Sequence, residues 1–207
     1  MSYLAAHPLR VALALGAHVE LVLGALALAF AIALPLGIRC ARGGRVAGLL
    51  LGALGAVYTI PSLALLALLV AALGLGTLPI FVALVAYAQF VLVRNVAAGI
   101  GGVDAAEREA AIAMGMTARQ VLARVELPLA LPVIVGGVRI AAVAMVALAT
   151  LGGYVGASGL GTLIFTGLAL HHPDEIIAGS IAACALAIAF DLALRGVERL
   201  VSYRSSR

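Results

Sequence analysis

The sequence predicts an all-α, polytopic membrane helical bundle with about five transmembrane helices. Of its 207 residues, 65% are hydrophobic and only 11% charged, and mean hydropathy is +1.22. A soluble domain of this size needs far more polar surface. The apolar residues also fall in blocks near the roughly 20 residues a helix needs to cross a bilayer. The arginines, finally, are sorted among the connections between those blocks.

The first span covers residues 21–38. The second covers residues 46–73, with Pro61 near its middle. Cut at Pro61, neither piece is long enough to cross, which predicts one kinked helix whose neighbours satisfy the freed backbone groups. The third runs from about 77 to 93 and continues past Arg94 toward Ile100. The fourth covers about 129–151 and the fifth about 176–194.

Arginine placement orients these spans, because basic residues stay on the cytoplasmic side. Arg39, Arg42 and Arg45 lie between spans one and two. Arg94, Arg108, Arg119 and Arg124 lie at the edge of span three or in the segment before span four, and Arg195, Arg199, Arg204 and Arg207 follow span five. Five spans put all three groups on one side. The other side keeps Arg10, Glu20, Asp174 and Glu175. The N-terminus is therefore expected outside and the C-terminus in the cytoplasm, with residues 1–207 forming a single transmembrane domain. Neither end reads as a soluble domain. The apolar run 11–17 is short and the next block begins at once, so no cleavable signal peptide is evident.

Several chemistries are excluded. The chain has no lysine and so cannot supply the lysine of a phosphate-binding loop. No Ser/His set or paired aspartates lie within the spans, and no catalytic residue is assigned. Cys40 and Cys184 are far apart and read as packing residues. His171 and His172 stand beside Asp174 and Glu175, but an outer loop needs polar residues in any case, so no metal site is assigned. His7 and His18 read as interfacial. The Gly-x-x-x-Gly pairs are no more frequent than the abundance of glycine predicts.

The longest polar connection, on the cytoplasmic side, holds a loop at residues 104–128 where a partner could act. Asp104 followed by Glu107 resembles a capping box, so a helix starts near Ala105. Gly115 suits its end. Thr117 followed by Gln120 is a second capping box, and a second helix runs from about Ala118 toward Pro128. Helix-turn-helix DNA readers share this outline. Here Glu107, Glu109 and Glu126 mix with the arginines and would serve phosphate binding poorly, so no nucleic-acid partner is expected.

The loop resembles the EAA loop of ATP-binding-cassette (ABC) importer permeases. Glu109, Ala110 and Ala111 precede Gly115 at the family spacing, and Val125, Glu126, Leu127 and Pro128 close the motif, with Val125 where the family usually has Ile. Residues 59–66 (Thr-Ile-Pro-Ser-Leu-Ala-Leu-Leu) are similar to the osmoprotectant branch, which imports glycine betaine, carnitine, choline or related solutes. So are Arg94-Asn95 with Gly99-Ile100, residues 137–141, and residues 155–161, where Ser158 replaces a common Gly.

The resemblance implies a coupling helix that docks in a cytoplasmic ATPase, with Glu109, Ala110, Ala111, Gly115, Thr117, Leu127 and Pro128 as contact and turn residues. It implies no cofactor on this chain, with ATP and Mg on the partner ATPase subunit. It also implies a second permease copy or paralogue, an extracytoplasmic solute-binding protein, and a multi-pass place in the cell (inner, cytoplasmic) membrane. The same scaffold importing another small solute such as an amino acid is the alternative. A non-transport intramembrane enzyme or structural subunit is the alternative from another class.

Within the spans, Pro61 and Ser62 mark a gate candidate at the kink. The glycine-dense run 152–161, with Tyr154, Gly156, Ser158 and Gly159, reads as an extracytoplasmic gate or dock, or as a plain outer loop. Arg139 and Asp191 fall at matching depths in the inner half of spans four and five, which points to an ion pair. The alternative is that Arg139 pairs with carbonyls or snorkels while Asp191 caps the helix end near Arg195. The chain has no Trp, five Tyr and five Phe. Few are placed to cage a quaternary ammonium, so tight recognition is expected on the binding protein and only a weak site in the pore.

Overall fold

A computed structural model describes residues 2–205. The described chain is helical from end to end. In order it forms α1 (Ser2–Ala6), α2 (Pro8–Ala41), α3 (Arg45–Thr59), α4 (Ser62–Leu73) and α5 (Thr77–Gly101). Then come α6 (Ala105–Ala113) and α7 (Ala118–Val121). A π-helical turn, Leu122–Glu126, leads into α8 (Leu127–Ala149), and a 3₁₀ stretch, Thr150–Val155, precedes α9 (Leu160–Ala169) and α10 (Pro173–Ser205).

Four segments are long and apolar enough to cross a bilayer singly: Pro8–Ala41, Thr77–Gly101, Ala118–Val155 and Pro173–Ser202. The fifth crossing differs from the expected kinked helix. α3 and α4 are separate helices meeting at 93°. Pro61 has no N–H to donate and holds Ile60 in the extended region (φ −63°, ψ 130°), so the helical ladder ends at Thr59. The pair still passes from one end of the bundle to the other. Arg45 follows the C-terminal end of α2 directly, whereas Gly76, beyond α4, donates to the Val155 carbonyl at 2.8 Å at the opposite end.

The bundle is held by close backbone approach. In lipid, helices gain nothing from hydrophobic exclusion and associate through small residues and interhelical hydrogen bonds. Ala25, Ala29 and Ala33 of α2 repeat every four residues, line one face, and are wholly buried with Ile80, Leu84 and Val93 of α5. A Cβ on Gly37 would lie 2.4 Å from Val96 Cβ, so α2 and α5 cross where only glycine fits. Gln89 adds a buried bond from Nε2 to the Ala29 carbonyl at 3.1 Å. α8 packs on the other side of α5, and Gly137 meets Asn95 with the same tightness. Outward faces carry Leu13, Leu28, Leu49, Leu68, Ile188 and Leu192. Water would penalise such a surface, and acyl chains match it.

His18 departs from its interfacial expectation. It is fully buried. Its Nδ1 accepts from Leu160 N–H at 3.3 Å, which leaves Nε2 to donate to the Val146 carbonyl at 3.1 Å. One ring thereby joins α2, α8 and the start of α9.

Candidate functional site

The loop between α5 and α8 is built as two capped helices. Asp104 accepts from Ala106 N–H at 3.0 Å and starts α6. α6 ends at Ala113, and Gly115 turns the chain with φ +81°. The space beside Gly115 is open, so the requirement for glycine there is conformational. Thr117 and Gln120 form the reciprocal capping box that starts α7. Glu109, Ala110, Gly115 and Thr117 are exposed and Ala111 is buried. Ile112 and Met114 point outward as well, so the α6 end offers an apolar surface rimmed by polar groups.

The second helix does not stop near Pro128 as its sequence predicts. α7 runs through the π turn into α8 without a break, and Leu127 N–H reaches back five residues to the Leu122 carbonyl. The wide turn relieves the crowding that Pro128 imposes on the carbonyl four residues before it. The loop is thus rigidly continuous with a spanning helix.

A buried carboxylate ties the loop to the bundle. Glu126 has no exposed surface. Arg42, at the C-terminal end of α2, donates to both of its oxygens, at 3.0 and 2.8 Å. The Arg108 guanidinium of α6 is 3.1 Å away and also donates to the Ile100 carbonyl at the end of α5. The fork–fork pairing with Arg42 is the strong form of an ion pair. Glu126 thereby ties the end of α2 and helix α6 to the turn that enters α8, and Arg108 carries the link on to α5.

The second feature is the break between α3 and α4. Tyr87 of α5 donates its hydroxyl to the Ile60 carbonyl, which the broken ladder has freed. A cavity of about 340 Å³ opens there between α5, α8 and the break.

The family model for the binding-protein-dependent transport system inner membrane component matches residues 33–207. The chain belongs to that family. It is 40% identical to the carnitine transport permease protein OpuCB of Listeria monocytogenes, over 92% of this chain and 87% of the relative. It is 38% identical to the glycine betaine/carnitine/choline transport system permease protein OpuCB of Bacillus subtilis, over 90% and 86%. It is 35% identical to the osmoprotectant import permease protein OsmW of Salmonella typhimurium, over 92% and 91%. The fold matches an inward-facing structure of the MetNI methionine ABC transporter with TM-score 0.80 at 22% identity, covering 89% of this chain and 93% of that one. The chain is accordingly a multi-pass membrane component of a binding-protein-dependent transport system.

In this transport-system component the glycine-dense run is packed rather than slack. A Cβ on Gly153 would sit 2.2 Å from the Gly161 backbone, and one on Gly161 would sit 1.8 Å from the Thr150 carbonyl. The run folds back on itself, with Gly156 and Gly159 at φ +83° and +151°. It delivers the chain into α9, an apolar helix that the outer-loop reading did not anticipate. Tyr154 and Ser158 remain on the surface, and the Tyr154 ring lies 5.6 Å from Phe165.

Arg139 lies 3.5 Å from Asp191 and closer, 3.2 Å, to Glu198, which sequence reasoning missed. Asp191 and Glu198 are seven residues apart on one face of α10, so both reach the same guanidinium. Asp191 also accepts from Arg195 at 2.8 Å. Asp191 thus pairs with Arg139 and, one turn on, with Arg195 in one four-residue network, but it caps no helix end, because α10 runs on past both to Ser205. The clamp partners Arg42 and Glu126 also escaped the sequence, because nothing local signals a contact between residues 84 positions apart.

Proposed function

We propose that this chain is the permease subunit of an ABC importer that takes up quaternary-amine osmoprotectants such as glycine betaine, carnitine or choline. The observation that carries this is the run of relatives named for those solutes, alike over nearly the whole of both chains. A separate cytoplasmic ATPase binds ATP and Mg and receives the exposed end of α6 around Glu109, Ala110, Ile112 and Met114. A second permease copy or paralogue completes the pathway, and an extracytoplasmic binding protein delivers the solute. The arginine-rich end of the bundle lies in the cytoplasm of the cell membrane, with the N-terminus outside and the C-terminus inside.

The continuous α7–α8 helix supports this mechanism. Motion imposed on α6 by closure of the ATPase passes through the Glu126 clamp into α2, α5 and α8 together. The spans then alternate between outward and inward access.

The test is the ATPase rate of the purified complex with its binding protein and a panel of solutes. Glycine betaine, carnitine or choline stimulates it, and amino acids do not. Stimulation by amino acids alone would transfer the scaffold to another cargo.

A further inference from the structure

We propose that the cavity at the α3–α4 break holds the quaternary ammonium head of the cargo in transit, with the rings of Tyr58 and Tyr87 as its π faces. This rests on the osmoprotectant reading above and adds where in the permease the cation is handled.

The cavity has the size of a small-ligand pocket, about 340 Å³. Tyr58, Ile60, Ser62, Tyr87, Met145 and Leu148 line it, and no charged side chain among the described residues does. The two tyrosine rings stand 6.0 Å apart at 74°, so they form two adjoining walls. Tyr87 is fixed by its hydroxyl bond to the Ile60 carbonyl. Phe90 lies 5.2 Å from Tyr58, but the Arg94 guanidinium already covers it at 5.8 Å. Among the described residues, the aromatic rings that line the cavity are those of the two tyrosines.

This lining suits a quaternary ammonium. Such a head has no N–H to donate and is stabilised by ring quadrupoles and polarizable groups. A primary ammonium, with three donors, finds only a few hydroxyl and carbonyl acceptors there and no carboxylate. The carbonyl end of α3 also points at the break, and the partial negative charge of a helix C-terminus favours a cation. Tyr87 lies ten residues along α5 from Thr77, about 15 Å, near mid-bilayer. That depth is where a desolvated cation costs most, so a π contact there lowers the barrier to passage.

The experiment uses the complete importer, with permease, ATPase and binding protein, in liposomes. Tyr58 is the position to vary, because changing Tyr87 also breaks its bond to Ile60. Tyr58→Phe keeps uptake of glycine betaine or choline within about twofold, and Tyr58→Leu lowers it by about three- to thirtyfold. A series of phenylalanines with one, two and three ring fluorines at position 58 keeps the shape while draining the π face. Uptake falls stepwise along it. If Tyr58→Leu fails to fold, the fluorinated series decides alone. Leucine equal to phenylalanine, or a flat fluorine series, overturns the site while the wild type still imports the quaternary amine. A wild-type importer that carries amino acids and no quaternary amine overturns the osmoprotectant reading and this site with it.

Discussion

Arg42 grips Glu126 through two guanidinium hydrogen bonds, at 3.0 and 2.8 Å, although 84 positions separate them. The carboxylate is fully buried and Arg42 is about half exposed, so the two partners respond differently to removal. Loss of Glu126 leaves two guanidinium groups facing each other in the loop root. Loss of Arg42 leaves the carboxylate with Arg108. Glu126→Ala is expected to cost about 3–5 kcal/mol, as for other broken buried pairs. Arg42→Ala costs less, about 1–3 kcal/mol, the scale for a lost charged hydrogen bond. Thermal melting of the detergent-purified subunit orders the two. A Glu126→Ala protein that melts like the wild type removes the clamp from the account.

The turn at Gly115 has open space around it and φ +81°. A β-branched residue there suffers only backbone strain, about 1–2 kcal/mol for the left-handed region. Gly115→Val is expected to insert normally and lose ATP-driven uptake. Gly115→Asn, a residue that visits this region more readily, keeps more of it. Equal uptake by the two variants would mean that the turn geometry does not matter for coupling.

The Arg139 network changes what a charge swap does. Exchanging Arg139 and Asp191 would set a carboxylate beside Glu198 and a guanidinium beside Arg195, so the double swap is expected to rescue little. Neutral variants are the better probe. A double-mutant cycle between Arg139→Gln and Glu198→Gln, read in melting temperature and uptake, should show non-additivity at least as large as that between Arg139→Gln and Asp191→Asn, because the Glu198 contact is the shorter. Additivity for both pairs would reduce the network to proximity.

His18→Phe keeps the ring but leaves the Val146 carbonyl and the Leu160 N–H without their partner. Each buried unpaired group costs about 1–3 kcal/mol. The variant is expected to melt well below the wild type. His18→Gln, which has one donor and one acceptor to offer, recovers part of the loss. Matching melting curves for all three proteins would show that His18 only fills space.

Much of this fold was legible because bilayer physics writes it into composition. All five expected crossings appear as apolar blocks, and the capping residues Asp104 and Thr117 announce helix starts through local hydrogen bonding. The boundaries were less legible. α2 begins at Pro8, thirteen residues before the strongly apolar block, because proline suits a first helical turn. Pro61 gave the position of the break but not its 93° angle. Pro128 reads as a stop, yet a π turn absorbs it. Whether proline breaks or bends a helix depends on the neighbours that take up the freed carbonyls, and here Tyr87 does so at Ile60. The buried roles of His18, Glu126 and Glu198 depend on long-range packing, for which one sequence carries no local sign.

The central claim is that this chain forms an ATP-driven import pathway with a separate ATPase. Its most direct test is accumulation of labelled carnitine, glycine betaine and choline in liposomes holding the permease and ATPase, with binding protein outside and ATP trapped within. The account predicts accumulation of at least one of them above the external concentration, dependent on internal ATP and on the binding protein, and lost in Gly115→Val. Uptake that proceeds equally without ATP, or that stops at the external concentration, would contradict it.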